Sequence, residues 1–179
     1  MKNIYLVRHC AADGQEPEAS LTDKGKQQAA DLVAFFRYRK VDRIISSPFQ
    51  RAIQTIQPLA NERNIVIETN NQLSERILST LNMPDWYEKL RVTYENFDLK
   101  NEGGESSREA VNRIIKVIDE VLKSDVENTI IVTHGGLLSL LLHHYDKNFG
   151  FEQWATLSNP DVYHLTSENQ ITFERIWNK

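Results

Sequence analysis

Two short apolar runs, each ending in a histidine, constrain the fold of this chain more than any other feature. Ile4-Tyr5-Leu6-Val7 delivers Arg8-His9 at its C-terminal end, and Ile130-Ile131-Val132-Thr133 delivers His134-Gly135-Gly136. Each run has the length and the β-branched, apolar content of a strand buried on both faces. In open α/β sheets the C-terminal ends of the strands form the ligand crevice. Two such strands therefore bring an arginine and two histidines, far apart in the chain, into one cleft.

The segments between and around these runs alternate between strand and helix patterns. Residues 22–36 place Ala29, Leu32, Val33 and Phe36 on one helical face, and Asp42 to Ser46 reads as a strand. Ser47 as N-cap, Pro48 at the first helical position and Gln50 closing a capping box predict a helix that Pro58 bends or shortens. Ile65-Val66-Ile67 is a third strand candidate. Ser106 to Glu109 forms a second capping box, opening a helix whose Val111, Ile114, Ile118 and Val121 share a face. An apolar helix follows from Leu137 to Tyr145. Val162 to Leu165 and Ile171 to Ile176 read as an antiparallel pair turning at Glu168-Asn169. The expected fold class is α/β: a three-layer αβα sandwich with a mostly parallel sheet and an antiparallel C-terminal edge.

No repeat or linker divides the chain, and 179 residues suit a single domain over 1–179. Between about 76 and 104 the pattern is irregular. This predicts a small helical, lid-like excursion over one end of the sheet, with Trp86, Tyr87, Arg91 and Tyr94 as candidate lid residues.

A formal net charge of -4 gives no basis for nucleic-acid or acidic-membrane binding, so local arginines must hold any anion. One cysteine allows neither an internal disulfide nor a zinc set. His134, His143 and His144 do not share a helix face at metal-ligand spacing, so no metal is expected. The apolar stretch Leu137 to Leu142 is far too short to cross a bilayer. Met1-Lys2-Asn3 runs directly into the first strand, so no signal peptide and a cytoplasmic location are expected.

Three further features point to anion chemistry. Arg51 falls in the first turn of the helix after Ser47-Pro48, where free N–H groups and the helix dipole favour an anion and a guanidinium fork suits phosphate. Gly135-Gly136 lets the backbone approach a ligand closely. Glu75, within Leu73-Ser74-Glu75-Arg76, is a carboxylate at the edge of the cleft; a surface pair with Arg76 is the plain alternative. His9-Cys10 also invites a cysteine-phosphatase reading, which needs an arginine after the five residues that follow the cysteine. Glu16 occupies that position and would repel phosphate, so the spacing excludes it.

In order along the chain, Leu6-Val7-Arg8-His9, Leu21 to Gly25 with Gln28-Ala29, Ser46-Ser47-Pro48 through Arg51-Ala52 and Thr55, Gly104-Glu105-Ser106, and Val132 to Gly136 resemble the histidine phosphatase superfamily, in its phosphoglycerate mutase-like branch. The resemblance implies that His9 is the nucleophile and forms a phosphohistidine. It implies that Arg8, Arg51, His134 and Gly135 bind the phosphate, with His134 acting best as imidazolium. Glu75 becomes the proton donor, with Asp13 and Glu16 as weaker candidates. It implies a small phosphorylated substrate, with neither metal nor cofactor. Cys10 stands where the family usually has glycine and threatens to crowd the phosphate. Ala12 replaces a common hydroxyl residue, for which Gln15 or Thr22 are candidate substitutes. A phosphomonoester phosphatase, a phosphoglycerate mutase and a weakly active phosphate-binding protein all fit these motifs. The short stretch after Glu75 favours hydrolysis.

Overall fold

The computed structural model describes residues 1–178. The strands are β1 (Lys2–Arg8), β2 (Arg43–Ser46), β3 (Ile67–Thr69), β4 (Asn128–Thr133), β5 (Asp161–Ser167) and β6 (Ile171–Arg175). They form one sheet in the order β3-β2-β4-β1-β5-β6. The β1–β4, β2–β4 and β2–β3 pairs are parallel, whereas β5 runs antiparallel to both β1 and β6. The helices are α1 (Asp23–Phe35), α2 (Gln50–Arg63), α3 (Trp86–Glu95), α4 (Ser107–Lys123), α5 (Gly135–Tyr145) and α6 (Phe151–Ala155).

Alternation along the strands divides the core between the two faces of the sheet. Tyr5, Val7, Ile130 and Val132 pack with Leu32 of α1 and Ile56 and Leu59 of α2. Ile4, Leu6 and Ile131 face the other way, against Ile114 and Ile118 of α4 and Leu138 and Leu141 of α5. This is the expected three-layer sandwich with an antiparallel C-terminal edge. Among the described residues, no helix is long and apolar enough to cross a membrane.

Local expectations fare unevenly. The Ser106 capping box forms with both of its reciprocal bonds. The Ser47 box does not: α2 begins at Gln50, and its N-cap, Phe49, offers no side-chain bond. Ser47 Oγ pairs instead with His134 Nε2 at 2.8 Å, a partner no local pattern reveals. Pro58 lies inside α2 without ending it, and the helix runs on to Arg63 before Asn64 turns left-handed at φ 54°. The third strand starts two residues later than its apolar run, because Ile65 and Val66 connect α2 to it. Helix α6, which the sequence reading does not include, is capped at its start by Gln153 Oε1, which accepts from Gly150 N at 2.8 Å.

In the irregular stretch, α3 carries all four candidate lid residues, but they behave differently. Tyr94 is buried, and its hydroxyl pairs with Ser139 Oγ at 2.6 Å, so it belongs to the core. Arg91 is paired with Glu88 and Glu95 of its own helix. Trp86 and Tyr87 are half-exposed, and Tyr87 packs edge-on against Phe151 at 5.0 Å.

Pro58 is exposed and leaves one helical hydrogen bond of α2 unmade. Pro58→Ala is therefore expected to stabilise the protein by about 1 kcal/mol or more, read as a raised midpoint in denaturant. An unchanged or lowered midpoint contradicts this.

Candidate active site

The site forms because β1 and β4 are neighbours in register, with Arg8 opposite Thr133. The chain stays paired one residue beyond β1, where His9 N donates to Thr133 O at 3.2 Å. The rings of His9 and His134 consequently meet edge-on, with centroids 5.2 Å apart.

His9 is only 7% exposed, and its Nδ1 lies 2.7 Å from the carbonyl oxygen of Cys10. A carbonyl can only accept, so Nδ1 carries the proton and Nε2 presents a lone pair. Arg51 Nε donates towards that lone pair at 3.3 Å. Burial, reinforced by His134 and the two arginines, lowers the His9 pKa to about 3. The ring is neutral at physiological pH, with its free nitrogen facing the guanidinium.

Two buried cations converge beside it. Arg8 Nη1 donates to the carbonyls of Leu157 and Ser158 at 3.1 and 3.4 Å, and its buried Nε has no hydrogen-bond partner among the described residues. Arg51 is 1% exposed, and its Nη1 donates to the carbonyls of Gln15 and Glu16 at 3.1 and 2.9 Å. Their hydrogen bonds go to carbonyl oxygens and to His9, and neither is in a salt bridge. Burial lowers the pKa of both, and Glu75 partly restores it. A buried charge with neutral partners is costly, and an arriving dianion would relieve that cost.

His134 is fully buried, its Nε2 is held by Ser47, and its Nδ1 has no partner among the described residues. Ser47 Oγ already accepts from Phe49 N at 3.2 Å, so its own proton is free to be donated to Nε2. That arrangement leaves an N–H on Nδ1. The imidazolium expected around a phosphoryl group is not the state of the empty site. Burial and then the charges of Arg51, Arg113 and Arg8 lower His134 well below the ordinary histidine value, so it is neutral in the empty site.

Glu75 spans the start of α5. Its carboxylate accepts from Gly136 N at 3.0 Å, Leu137 N at 2.9 Å and Arg76 N at 2.8 Å. The first two are N–H groups that a helix start leaves without intrahelical partners. Arg76 is not its surface partner. It is buried, donating to Thr93 and Ser107 hydroxyls at 3.2 and 3.0 Å and to the Glu105 carbonyl at 3.0 Å.

The glycine pair has a steric reason. A Cβ on Gly135 would stand 2.8 Å from Arg8 Nε, and one on Gly136 would stand 2.7 Å from a Glu75 carboxylate oxygen.

The remaining candidates sort plainly. Cys10 does not crowd the pocket: its side chain is buried in the core with Val7, Ala29 and Leu32, and burial pushes its thiol up to about 12. Thr22 caps α1, accepting from Gly25 N at 3.0 Å and facing Ala11 O at 3.4 Å, so its hydroxyl is engaged there rather than with phosphate. Gln15 is exposed and lines a groove with Glu75. Asp13 and Glu16 are exposed. Among the described residues, no three His, Cys, Asp or Glu side chains cluster as a metal-ligand set.

Three supporting groups complete the site, of which the sequence motifs include Thr55 but neither Asn159 nor Asp161. Thr55 Oγ1 accepts from Cys10 N at 2.8 Å, and Asn159 Nδ2 donates to His9 O at 2.9 Å. Buried Asp161 accepts from Ser158 N at 3.0 Å and Arg175 Nε at 2.8 Å, which holds the loop whose carbonyls grip Arg8.

The model of the histidine phosphatase superfamily (branch 1) matches residues 4–178. An adenosylcobalamin/alpha-ribazole phosphatase of Salmonella typhimurium is 28% identical over 158 residues, covering 78% of this chain and 77% of that protein. Phosphoserine phosphatase 1 of Hydrogenobacter thermophilus is 26% identical over 147 residues, covering 74% and 70% respectively. The mycobacterial glucosyl-3-phosphoglycerate phosphatase in complex with inorganic phosphate shares the fold. Its TM-score is 0.80 at 22% identity, over 100% of this chain and 98% of that one.

Two outcomes follow for the empty site. His9 and His134 take up protons near pH 6.5 when unfolded but only far lower when folded, so stability falls as pH drops below about 6.5. Each contributes up to about 1.4 kcal/mol per pH unit, with partly buried His144 and His164 acting in the same direction. Denaturant melts at pH 7 and pH 5.5 measure the slope, and His9→Gln should remove its share; a slope unchanged in that variant contradicts the assignment. Gly135→Ala should displace the Arg8 guanidinium and weaken vanadate binding roughly tenfold or more, the loss of one charge-assisted contact. Wild-type affinity by calorimetry would show that the contact is not needed.

Proposed function

The chain belongs to the histidine phosphatase superfamily, and on that premise we propose that it is a phosphomonoester phosphatase working through a phosphohistidine at His9. The observation that carries this reading is the paired state of the His9 ring. Its proton is engaged by the Cys10 carbonyl, and its free Nε2 faces Arg51 among cations with no anionic partner.

In this reading the phosphoryl oxygens sit between Arg8, Arg51 and the free Nδ1–H of His134, replacing the missing partners. The His9 Nε2 lone pair attacks phosphorus while the P–O bond to the leaving alcohol breaks. Glu75 gives that oxygen a proton. Water then attacks phosphorus, the N–P bond breaks, and the water proton passes to Glu75, which restores the enzyme. Arg8 and Arg51 supply the positive charge that stabilises the transferring group, so no divalent cation is required.

The substrate is read as a small phosphorylated metabolite. The relatives described above act, by name, on alpha-ribazole, phosphoserine and glucosyl-3-phosphoglycerate derivatives. All are phosphatases, which favours hydrolysis over phosphoryl transfer between phosphoglycerates. The burial of Cys10 in the core removes one of the two motives for an inactive, phosphate-binding reading.

With 4-nitrophenyl phosphate, His9→Ala should abolish turnover and the acid-labile phosphoprotein together. Glu75→Gln should lower kcat by about 10²- to 10⁴-fold, the usual worth of a general acid. Turnover that survives loss of His9 contradicts the mechanism.

A further inference from the structure

A groove of about 380 Å³ lies beside the phosphate-binding groups, sharing Phe49 and Glu75 with their surroundings, and its lining bears on which alcohol the phosphate leaves. Gln15, whose carbonyl accepts from Arg51, and Phe49, whose ring lies under the Arg51 guanidinium, line it together with Glu75. Phe49 is fixed as a wall: its ring meets His134 edge-on at 4.9 Å, and the Arg51 guanidinium lies over it at 5.1 Å. Pro17, Ile77 and Leu78 continue the lining outward as apolar surface. A phosphoryl group held by Arg8 and Arg51 therefore places its leaving group in this groove, beside Glu75.

The charges around the groove are one-sided. Glu75 lines it with its carboxyl group held by the N–H groups at the start of α5, and the exposed Glu16 follows Gln15 in the chain. The cation in the lining, Arg76, turns its guanidinium away to the Thr93, Ser107 and Glu105 oxygens. Arg113, which reaches the same loop, is paired with Glu105 through two of its nitrogens. Arg8 and Arg51 are directed to the phosphate. A carboxylate on the leaving group would enter a largely apolar groove with no free cation among its lining residues.

We infer that the groove selects phosphomonoesters whose alcohol is uncharged and largely apolar, such as aryl esters, over phosphorylated carboxylic acids. The inference rests on the phosphatase reading above and adds the substrate class. Phe49 and the Pro17–Ile77–Leu78 surface supply the contact area, Gln15 offers neutral hydrogen bonds, and the lack of a free cation in the lining disfavours acids.

The test is a matched pair of substrates, phenyl phosphate and 4-carboxyphenyl phosphate, whose phosphoryl groups are the same and whose phenols are comparable leaving groups. Wild type should show a kcat/KM at least about tenfold higher for the uncharged ester, since a carboxylate entering the groove loses hydration without gaining a partner. Ile77→Lys adds a cation at a position that is 53% exposed and so leaves the core intact. It should narrow the preference by roughly threefold, the worth of a solvent-exposed ion pair. Equal or better turnover of the carboxylated ester by wild type overturns the inference while leaving the phosphatase reading in place. So does an Ile77→Lys variant with an unchanged ratio. Failure of both esters, and of phosphoserine, to phosphorylate His9 overturns the phosphatase reading and this inference with it.

Discussion

The rest of the site depends on the parallel pairing of β1 with β4. Their register sets Val7 against Val132 and Arg8 against Thr133, and it is fixed by side chains buried on both faces of both strands. A slip of one residue would exchange Ile4 and Leu6 with Tyr5 and Val7 between the two cores. It would also part His9 from His134. The geometry of the site is thus stabilised by the hydrophobic core rather than by polar contacts within the pocket.

On that frame the pocket carries an unbalanced charge. Arg8 and Arg51 are buried with carbonyls and a histidine ring for partners, while Glu75, the nearest carboxylate, is engaged by the backbone N–H groups at the start of α5. Several donors are left over, including Arg8 Nε and His134 Nδ1. Both histidines respond by staying neutral. Each of these features is unfavourable in the empty protein and becomes favourable around a phosphoryl group, which is how a site stores complementarity to an anion.

Much of this was legible in the sequence, for identifiable reasons. β1, β4 and the β5–β6 hairpin announce themselves through apolar runs and turn residues, and the Ser106 box through a local reciprocal pattern. Residues at strand ends, Arg8, His9 and His134, follow directly from those runs. What could not be read was non-local. Ser47 has the spacing of a helix cap, yet its hydroxyl is taken by a histidine 87 positions away. Asn159 and Asp161 act through a loop that returns beside β1 only after folding. The direction of the Cys10 side chain, into the core rather than the pocket, depends on packing against α1 and α2. The protonation of His134 depends on its burial and then on arginines from other elements.

The central claim is that His9 is a neutral nucleophile with its proton on Nδ1 and its lone pair on Nε2. Nitrogen-15 spectra of ring-labelled protein read this directly, since the two nitrogens of a neutral imidazole have separate shifts. The account predicts a His9 Nδ1–H tautomer unchanged from pH 8 to pH 5, with phosphorus bonded to Nε2 after reaction with a phosphoryl donor. A His9 ring that is protonated on Nε2, or that titrates near pH 6.5, would contradict it.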